Sequence, residues 1–529
     1  MKKIVIVGAG SAGLIAASLI KGCWNNRVEV EVIYDSRAKN IGVGESTTPF
    51  LTGLFCQLTG TSSEEILREC GGSVKLGIDF KNWRPNESYF HGFAELGGID
   101  EGENVLSSTV YSLLEKKYNG GVLYNKKSTK VPDRDFRRYN HALHIDTKNF
   151  SDFLFKRLTN SHKVKFTDAV VDKVRVDPEC KNIQHIELED GRRVEADFFI
   201  DASGFNTVLF KHLNPQWIDT SWYLPLDRAI PQQVPYEFEE VPSYTVCEAT
   251  DVGWIWKIPI GNRWGTGFLY SSKFTSDEEA REKYDVWLKN EFGTGLDTDR
   301  IIRYKPGYYK EAWIGNCLAI GLASGFAEPL EATSIHGIIK QVYDFNAYNP
   351  AFNNLELSRK NYNAVNEDLW ADTCEFIAFH YVTDREDSEF WRYMKTHRTE
   401  WCKDIIEKCD KEFLDATAFG NGPVSSRKRS QWGLDNYIQV ARGLKLFKYE
   451  SIKNYLMYQT EPREAYELAK KQHEFLEMNR KKIKWVSQKG VLANLDPKKA
   501  GWRMHHTEKR GTGVVPFGKE FQLKNLNND

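Results

Sequence analysis

The chain has 529 residues, with 72 basic against 73 acidic side chains, which leaves a formal net charge of -1. This balance gives no bulk attraction for nucleic acid or for an anionic membrane surface, so neither is an expected partner. The length allows one large core and a second lobe, and no apolar stretch is long enough to span a membrane.

The cysteines and the first residues indicate the cellular compartment. The nine cysteines show no C-x-x-C motif and no other paired spacing. Reduced, buried thiols are the default interpretation of such a pattern. Met1-Lys2-Lys3 leads straight into an apolar run, so we expect no signal peptide and a cytoplasmic protein.

The start of the chain carries a dinucleotide-binding fingerprint. Apolar and small residues predict a strand over Lys3–Val7, a helix over Ser11–Lys21 and a second strand over Val28–Tyr34. Between the first strand and the helix, Gly8-Ala9-Gly10-Ser11-Ala12-Gly13 has the G-x-G-x-x-G spacing that cradles a pyrophosphate. Asp35 follows the last glycine by about twenty residues and would accept a hydrogen bond from a ribose hydroxyl.

The chain then departs from regular alternation of strands and helices. Residues 164 to 200 are again rich in strand-forming residues, and a strand ending at Asp201 predicts a return to the nucleotide site. Residues 241 to 275 alternate like antiparallel strands, and helical spacing prevails from about residue 335 to about 495. The residues after 495 are polar and basic, which indicates a solvated or partner-packed tail.

The stretch Gly253-Trp254-Ile255-Trp256-Lys257-Ile258-Pro259 carries two indoles two residues apart. Residues i and i+2 of a strand lie on one face, so Trp254 and Trp256 would form one aromatic wall. Such a wall would keep an organic substrate from direct contact with a bound dinucleotide.

The stretch from Ala319 to Ser334 reads as a strand, a glycine turn and the start of a helix. Backbone N–H groups of Thr333 and Ser334 at that helix start would suit a small anion. An ordinary capped helix is the alternative, and the residues alone favour it.

Four stretches together make the chain resemble the flavin-dependent halogenases, in the branch that includes the tryptophan halogenases. They are the glycine fingerprint with Gly42-Val43-Gly44-Glu45, the double-tryptophan stretch, Glu328-Pro329-Leu330-Glu331, and Phe376 to Val382 with Asp387, Phe390 and Trp391. The resemblance runs from residue 1 to about residue 395 in the same order.

The resemblance implies an α/β fold with a Rossmann-type FAD-binding core of the GR2, hydroxylase-like flavin monooxygenase kind. An antiparallel sheet and a helical C-terminal substrate lobe would complete it. We expect the core over residues 1–345 with an inserted sheet region at about 205–300, the helical lobe over 346–495, and the polar tail over 496–529.

The resemblance also implies which residues act. Lys75 takes the position of the family's active lysine, Glu331 that of its essential glutamate, and the amides of Thr333 and Ser334 would bind halide. The family usually has glycine where this chain has Ser334, so chloride, bromide and iodide all stay open. The residues expected to hold FAD are Gly8, Gly10, Ser11, Ala12, Gly13, Asp35, Gly44, Glu45, Ser46, Asp201, Gly321 and Pro329.

In the implied reaction, reduced FAD, O2 and halide give hypohalous acid, which passes through a tunnel to the lysine. Lys75 would donate a hydrogen bond to this acid or form a haloamine. Glu331 would polarise the halogen donor or take the ring proton of an electron-rich arene. The sequence shows no second fingerprint for NAD(P)H, so we expect a separate flavin reductase to supply reduced FAD by diffusion. The family also makes a homo-oligomer possible.

Histidines raise the question of a metal. His91 lies close enough in sequence to Lys75 to line the same cavity, where it would orient substrate or, more commonly for a single histidine, bond to the backbone. His505 and His506 point apart on any regular element and have no evident third ligand, so we expect no metal. His336 receives no role.

Two alternative functions stay open. One is an FAD-dependent aromatic hydroxylase, in which substrate meets the flavin directly, and the wall of Trp254 and Trp256 argues against it. The other is a non-catalytic flavin-binding or scaffolding protein, and the positions of Lys75 and Glu331 argue against that. The substrate is open as well, since Gln431–Ile438 matches the tryptophan-binding pattern poorly. Tryptophan, other indoles and phenols are equal candidates.

Overall fold

The computed structural model describes residues 1–38, 45–93, 110–111, 114–115, 129–132, 141–348, 354–411, 432–457, 461–482 and 484–495. The strands in these ranges are β1 Lys3–Val7, β2 Glu29–Tyr34, β3 Glu45–Ser46, β4 Ser73–Lys75, β5 Gly77–Lys81, β6 Ser88–Gly92, β7 Lys130–Pro132, β8 Ala142–Ile145, β9 Lys165–Asp168, β10 Val171–Val176, β11 Ile183–Leu188, β12 Arg193–Val194, β13 Phe198–Asp201, β14 Trp217–Asp219, β15 Arg228–Pro235, β16 Thr245–Ala249, β17 Gly253–Ile260, β18 Arg263–Tyr270, β19 Ile302–Arg303, β20 Gly307–Tyr309, β21 Trp313–Ile314, β22 Cys317–Ala319, β23 Gly325–Phe326 and β24 Trp485–Ser487. The helices are α1 Ser11–Trp24, α2 Cys56–Thr59, α3 Ser63–Cys70, α4 Thr147–His162, α5 Asp277–Phe292, α6 Thr333–Ala347, α7 Leu355–His380, α8 Glu389–Thr396, α9 Glu400–Lys411, α10 Leu434–Gly443, α11 Tyr449–Met457, α12 Pro462–Lys482 and α13 Gln488–Asn494.

A six-stranded sheet in the order β21-β22-β13-β1-β2-β9 forms the nucleotide-binding layer. All neighbours are parallel except β21 and β22. β1 is an uninterrupted apolar run with four buried residues, as expected of a parallel strand covered on both faces. The predicted strand-helix-strand unit is confirmed by β1, α1 and β2. Val7, Asp201 and Ala319 lie side by side in the register, so the loops after β1, β13 and β22 meet at one edge.

A seven-stranded sheet in the order β19-β15-β18-β17-β16-β5-β6 forms the second layer. Its strands are antiparallel except for the parallel pair β16 and β5, which confirms the antiparallel strands predicted over residues 241 to 275. β5 and β6 come from residues 77–92, well before the other strands of this sheet. They join the sheet because one edge of β16 pairs with β17 and the other edge is free to pair with β5.

The helices after residue 354 share a core with the seven-stranded sheet. Side chains of α7 to α10, such as Phe376, Phe390 and Tyr437, belong to one buried cluster with Trp254 and Trp256. β24 returns to pair with β7, so the region predicted as helical also contains a strand. The division into core, lobe and tail stays a prediction.

Two further sequence expectations concern cysteines and membranes. All nine cysteines lie among the described residues without a disulfide, and seven are buried, whereas Cys180 is exposed and Cys23 is partly buried. Among the described residues, the search for a helix long and apolar enough to cross a bilayer found none.

Candidate active site

The loop after β1 turns at Gly8 and leads into α1. Gly8 has a φ of 112°, and a Cβ there would lie 2.4 Å from the carbonyl oxygen of Ala202. A Cβ at Gly13 would lie 1.9 Å from the carbonyl oxygen of Gly8, so both positions need glycine for the backbones to pass this closely. At Gly10, no described atom comes within 4 Å of the Cβ position. The open side of the loop is therefore at Gly10, where a pyrophosphate can approach the backbone.

The first turn of α1 presents backbone donors on this open side. Its N-cap is Gly10, which offers no side-chain cap, and the first turn holds no acidic residue. The first N–H groups of a helix have no carbonyl partner within it. Those of Ser11 and Ala12 can therefore receive a ligand phosphate, which the helix dipole also favours. These residues fit the diphosphate of FAD.

Two acidic residues follow the ends of strands in this sheet. Asp35 accepts a hydrogen bond from Nε of Arg37 at 2.8 Å, and this contact lowers its pKa. Asp201 is fully buried, and its carboxylate accepts hydrogen bonds from three backbone N–H groups of the following loop. Because its oxygens bind its own chain, Asp201 would serve FAD by shaping this turn.

The segment around β3 carries three of the residues expected to hold FAD. Gly44 lies outside the described residues. Desolvation raises the pKa of Glu45 to about 7. The hydroxyl of Ser46 shares a hydrogen bond with that of Thr245 at 2.9 Å, which ties β3 to the seven-stranded sheet.

The turn after β22 reaches the cofactor loop from the other side. Gly321 has a φ of 57°, and a Cβ there would lie 3.1 Å from the Cβ of Ala12. Its N–H donates to Oε1 of Gln341 at 2.9 Å. The turn is therefore fixed against the start of α1, and Pro329 later opens the loop that leads to α6.

Trp254 and Trp256 lie on one face of β17, as the sequence predicted. Their ring centroids are 6.3 Å apart and their planes meet at 65°. Gly267 of β18 is paired with Trp256, and a Cβ there would lie 2.1 Å from carbons of that indole. Gly267 thus leaves the space that the second indole fills. Sequence reasoning missed it, because the register between two strands is not visible in the sequence.

A buried carboxylate anchors this wall. Nε1 of Trp254 donates to Oε2 of Glu328 at 2.6 Å, and the hydroxyl of Tyr381 donates to the same oxygen at 2.7 Å. Burial raises the pKa of Glu328 to about 7 in spite of these two hydrogen bonds. Its Oε1 has no hydrogen-bond partner in the part of the chain that the structure describes. The wall is therefore held by the first acid of the segment that ends at Glu331.

The chain between Glu331 and α6 bends through two left-handed residues. Glu331 has φ 62° and ψ 13°, Ala332 has φ 59° and ψ 37°, and Thr333 returns to φ -65° and ψ -25°. A left-handed residue before a right-handed one turns successive N–H groups toward a common point that attracts anions. Thr333 and Ser334 are also the first residues of α6, so the helix dipole adds to the attraction. The backbone here fits a halide ion.

Lys75 ends β4, and its side chain is fully buried. Its Nζ donates to the carbonyl oxygen of Thr47 at 3.0 Å and lies 5.2 Å from the ring centroid of Phe93. Desolvation lowers the pKa of Lys75 to about 8, while the charge of Glu331 acts in the opposite direction. The ammonium is therefore buried within electrostatic reach of Glu331.

Glu331 lies between two imidazoles. Its Oε1 is 2.7 Å from Nδ1 of His91 and 2.9 Å from Nε2 of His380. Burial by itself would raise the pKa of Glu331, but the charges and hydrogen bonds of the two histidines outweigh it and hold that pKa well below its usual range. Glu331 is thus a buried carboxylate that stays ionised.

His91 makes a different contact from the backbone bond that is more common for a single histidine. Besides Glu331, it contacts Oδ1 of Asn436 through Nε2 at 3.0 Å. β6 forms the edge of the seven-stranded sheet, and the ring there meets the loop of Glu331 on one side and α10 on the other.

His91, Glu331 and His380 form the one group of possible metal ligands found among the described residues, with ligand atoms within 4.8 Å of one another. Ligands of tetrahedral zinc lie about 2.0–2.1 Å from the metal and hence about 3.3 Å from each other. The contacts of 2.7 and 2.9 Å are hydrogen-bond distances, so we interpret the group as sharing protons. His505 and His506 lie outside the described residues.

The helical region reaches the site through Trp432 and Asn436, which sequence reasoning also missed. Trp432 stacks on Phe376 with centroids 4.9 Å apart and on His336 at 5.0 Å. His336, which received no role from the sequence, thus supports this ring. Trp432 lies just before α10 and Asn436 lies in its first turn, so no helical spacing in the sequence could have linked them.

Two surface cavities of about 490 and 510 Å³ share Trp222 in their linings. The first also reaches Lys273 and Tyr304, and the second reaches Arg398. Neither lining includes Lys75, Glu331 or the wall, so neither cavity belongs to the site built above.

Comparisons with known proteins agree with one another. The tryptophan halogenase family model matches residues 3–455. The tryptophan 7-halogenase RebH of Lentzea aerocolonigenes is 30% identical over 485 residues, which cover 84% of this chain and 89% of RebH. The tryptophan 6-halogenase ThaL of Streptomyces albogriseolus is 31% identical over 490 residues, covering 84% of this chain and 90% of ThaL. Among solved structures, the tryptophan 6-halogenase SttH of Streptomyces toxytricini matches with a TM-score of 0.76 at 25% identity, covering 93% of this chain and 99% of that one.

Proposed function

The chain belongs to the tryptophan halogenase family and is an enzyme that halogenates an aromatic substrate with FAD and halide, and from this premise we propose that Lys75 and Glu331 are its catalytic residues. The fold is the Rossmann-type FAD-binding fold expected from the sequence. The aromatic hydroxylase alternative is not favoured, because the matching relatives are halogenases over most of their length.

FAD would be held by the loop from Gly8 to Gly13, by the first turn of α1 and by the turn at Gly321. When bound and reduced, it supplies the chemistry by which O2 oxidises halide to hypohalous acid. In this step the chain itself would bind the halide, through the backbone amides of Thr333 and Ser334, whose N–H groups create a positive electrostatic potential.

Trp254 and Trp256 would keep substrate and cofactor apart, and Lys75 would act on the far side. Its buried ammonium donates a hydrogen bond to the oxygen of hypohalous acid, which draws electrons from the halogen and fixes its position. Burial favours this role, because a hydrogen bond from a charged donor is stronger where water is excluded.

Glu331 would complete the substitution. The ring attacks the halogen, the bond from oxygen to halogen breaks, and the oxygen leaves as water after taking a proton from Lys75. The ring proton then passes to the carboxylate of Glu331, and the electron pair of the broken carbon-hydrogen bond restores aromaticity. The depressed pKa of Glu331 suits this step, because a halogenated ring cation is a strong acid that needs only a weak base.

We further propose an electron-rich arene as substrate and a separate reductase as the source of reduced FAD. RebH and ThaL are named for tryptophan, which makes tryptophan one candidate beside other indoles and phenols. Chloride, bromide and iodide are all candidate halides.

The observation that carries the proposal is the buried Lys75 within electrostatic reach of the ionised Glu331. The test is a mass-spectrometric product screen with FAD, a flavin reductase, each halide and a panel of arenes. We expect a halogenated product from the wild type, and none from Lys75→Ala although FAD still binds. Full activity of that variant would refute the assignment of Lys75.

A further inference from the structure

His380 is one of two buried histidines in contact with Glu331 to which the proposed mechanism gives no role. It is the last residue of α7 and is 0% exposed. Its Nδ1 lies 2.8 Å from the carbonyl oxygen of Phe376, and its Nε2 lies 2.9 Å from Oε1 of Glu331. Both ring nitrogens therefore have a partner at hydrogen-bond distance.

These two contacts determine how many protons the pair must hold. A backbone carbonyl only accepts, so Nδ1 must carry a proton. The contact between Nε2 and Oε1 then needs a second proton, because two bare lone pairs would repel each other. Either His380 is an imidazolium facing a carboxylate, or both groups are neutral and the proton is on Glu331.

The surroundings favour the charged pair. The C-terminal end of a helix stabilises a positive imidazolium. The rings of Phe80 and Phe376 lie 4.9 and 4.8 Å from the His380 ring, and aromatic rings attract a cation at this range.

Other titratable groups surround this pair. Glu331 receives electrostatic influence from five neighbours on four further elements, namely His91, Lys75, Tyr89, Cys247 and His380. Lys75 carries a positive charge, whereas Tyr89 and Cys247 have pKa values well above their usual range, so both are neutral. His91 is the other group in this set that could hold a proton at Oε1 of Glu331.

We propose that His380 is a positioning residue that remains an imidazolium and, with His91, occupies Oε1 of Glu331, so that Oε2 is the oxygen that meets the substrate. The inference rests on the proposed role of Glu331 and deepens it. Two N–H donors on one oxygen fix the plane of the carboxylate and keep it ionised. In the resting enzyme Glu331 would then stay ionised through the physiological pH range. During the reaction it would take the ring proton at one defined oxygen.

The first test measures the protonation state directly and needs no turnover. In protein labelled with nitrogen-15 histidine at pH 7, we expect both ring nitrogens of His380 to be protonated, with the signal assigned by its loss in His380→Phe. His336 is the internal reference, since burial lowers its pKa to about 3 and it should be neutral in the same spectrum. In Glu331→Gln, His380 should become neutral. An unprotonated Nε2 of His380 in the wild type would overturn the proposal, whether or not the protein halogenates.

The second test separates positioning from a merely structural role. His380→Gln keeps a neutral donor, so its KM for the arene should stay within about threefold while kcat falls at least about tenfold. The acid limb of its kcat profile should move to higher pH, because loss of the imidazolium raises the pKa of Glu331. A limb that stays at the wild-type pH would refute the role of His380. An inactive wild type would count against the proposed function alone and leave the spectroscopic result to decide on His380.

Discussion

At the scale of single residues, the site is defined by two buried side chains whose pKa values depart from their usual values in opposite environments. Lys75 and Glu331 are both buried, yet one pKa is lowered to about 8 by desolvation and the other is held low by two histidines. When the surroundings of two neighbouring titratable groups push their pKa values apart, one group usually acts as the acid and the other as the base. The pH dependence of the reaction should therefore identify them.

The first prediction concerns the alkaline limb of the pH profile of kcat. The ammonium of Lys75 exists below its pKa of about 8, so kcat should fall with a slope of about one decade per pH unit above that point. Hypochlorous and hypobromous acids differ in acidity, so a limb that belongs to Lys75 should stay at the same pH with chloride and with bromide. A rate that rises through pH 8 would instead assign the neutral amine and a haloamine route.

The second prediction concerns Ser334 in the halide loop. We expect its Cβ to narrow the proposed halide site at the backbone N–H groups of Thr333 and Ser334, so Ser334→Gly should change the KM for the larger halides by about threefold or more, with little change in kcat. Ser334→Ala is the matched control, since it keeps both the Cβ and the N–H. Halide competition assays measure the effect, and equal KM values in both variants would show that this Cβ does not shape the pocket.

At the scale of elements, the wall depends on two strands that must approach closely. Gly267→Ala would place a methyl group 2.1 Å from carbons of Trp256, so the indole must move. We expect FAD binding within about twofold of wild type, but less halogenated product and more hydrogen peroxide per reduced FAD consumed. Gly337→Ala is the control, because no described atom lies within 4 Å of its Cβ position in α6. Equal coupling in both variants would contradict the role given to the wall.

The elements also show what a sequence can and cannot predict. The glycine loop, its helix and the shared face of Trp254 and Trp256 follow from local periodicity, and the structure has them. Sequence reasoning did not identify His380 and Asn436, because their contacts join residues that are far apart in the chain. Asn436, for example, contacts His91, which lies 345 positions earlier. Such contacts depend on how two sheets and a helical region are packed together, which local patterns do not encode.

At the scale of the whole molecule, the strand that carries Lys75 is supported from the far end of the chain. The family model ends at residue 455, yet Gln488 of α13 is 0% exposed and lies against β4. Its Oε1 accepts from the N–H of Val74 at 2.6 Å, and its Nε2 donates to the carbonyl oxygens of Val241 and Pro242 at 3.1 and 2.9 Å. One amide thus joins the residue before Lys75 to the segment leading into β16.

The last prediction follows from this long-range support. β8 pairs with one edge of the three-residue strand β4, so in Gln488→Leu the N–H of Val74 loses its partner on the other edge. A buried polar group left unpaired costs about 1–3 kcal/mol. The thermal midpoint should fall, and kcat should drop at least about tenfold because Lys75 is no longer fixed, while the FAD dissociation constant stays within about twofold. Lys489→Ala removes the neighbouring contact to the Phe238 carbonyl and should leave kcat unchanged. If Gln488→Leu loses stability without losing kcat, the amide supports the fold alone and Lys75 keeps its position by other contacts.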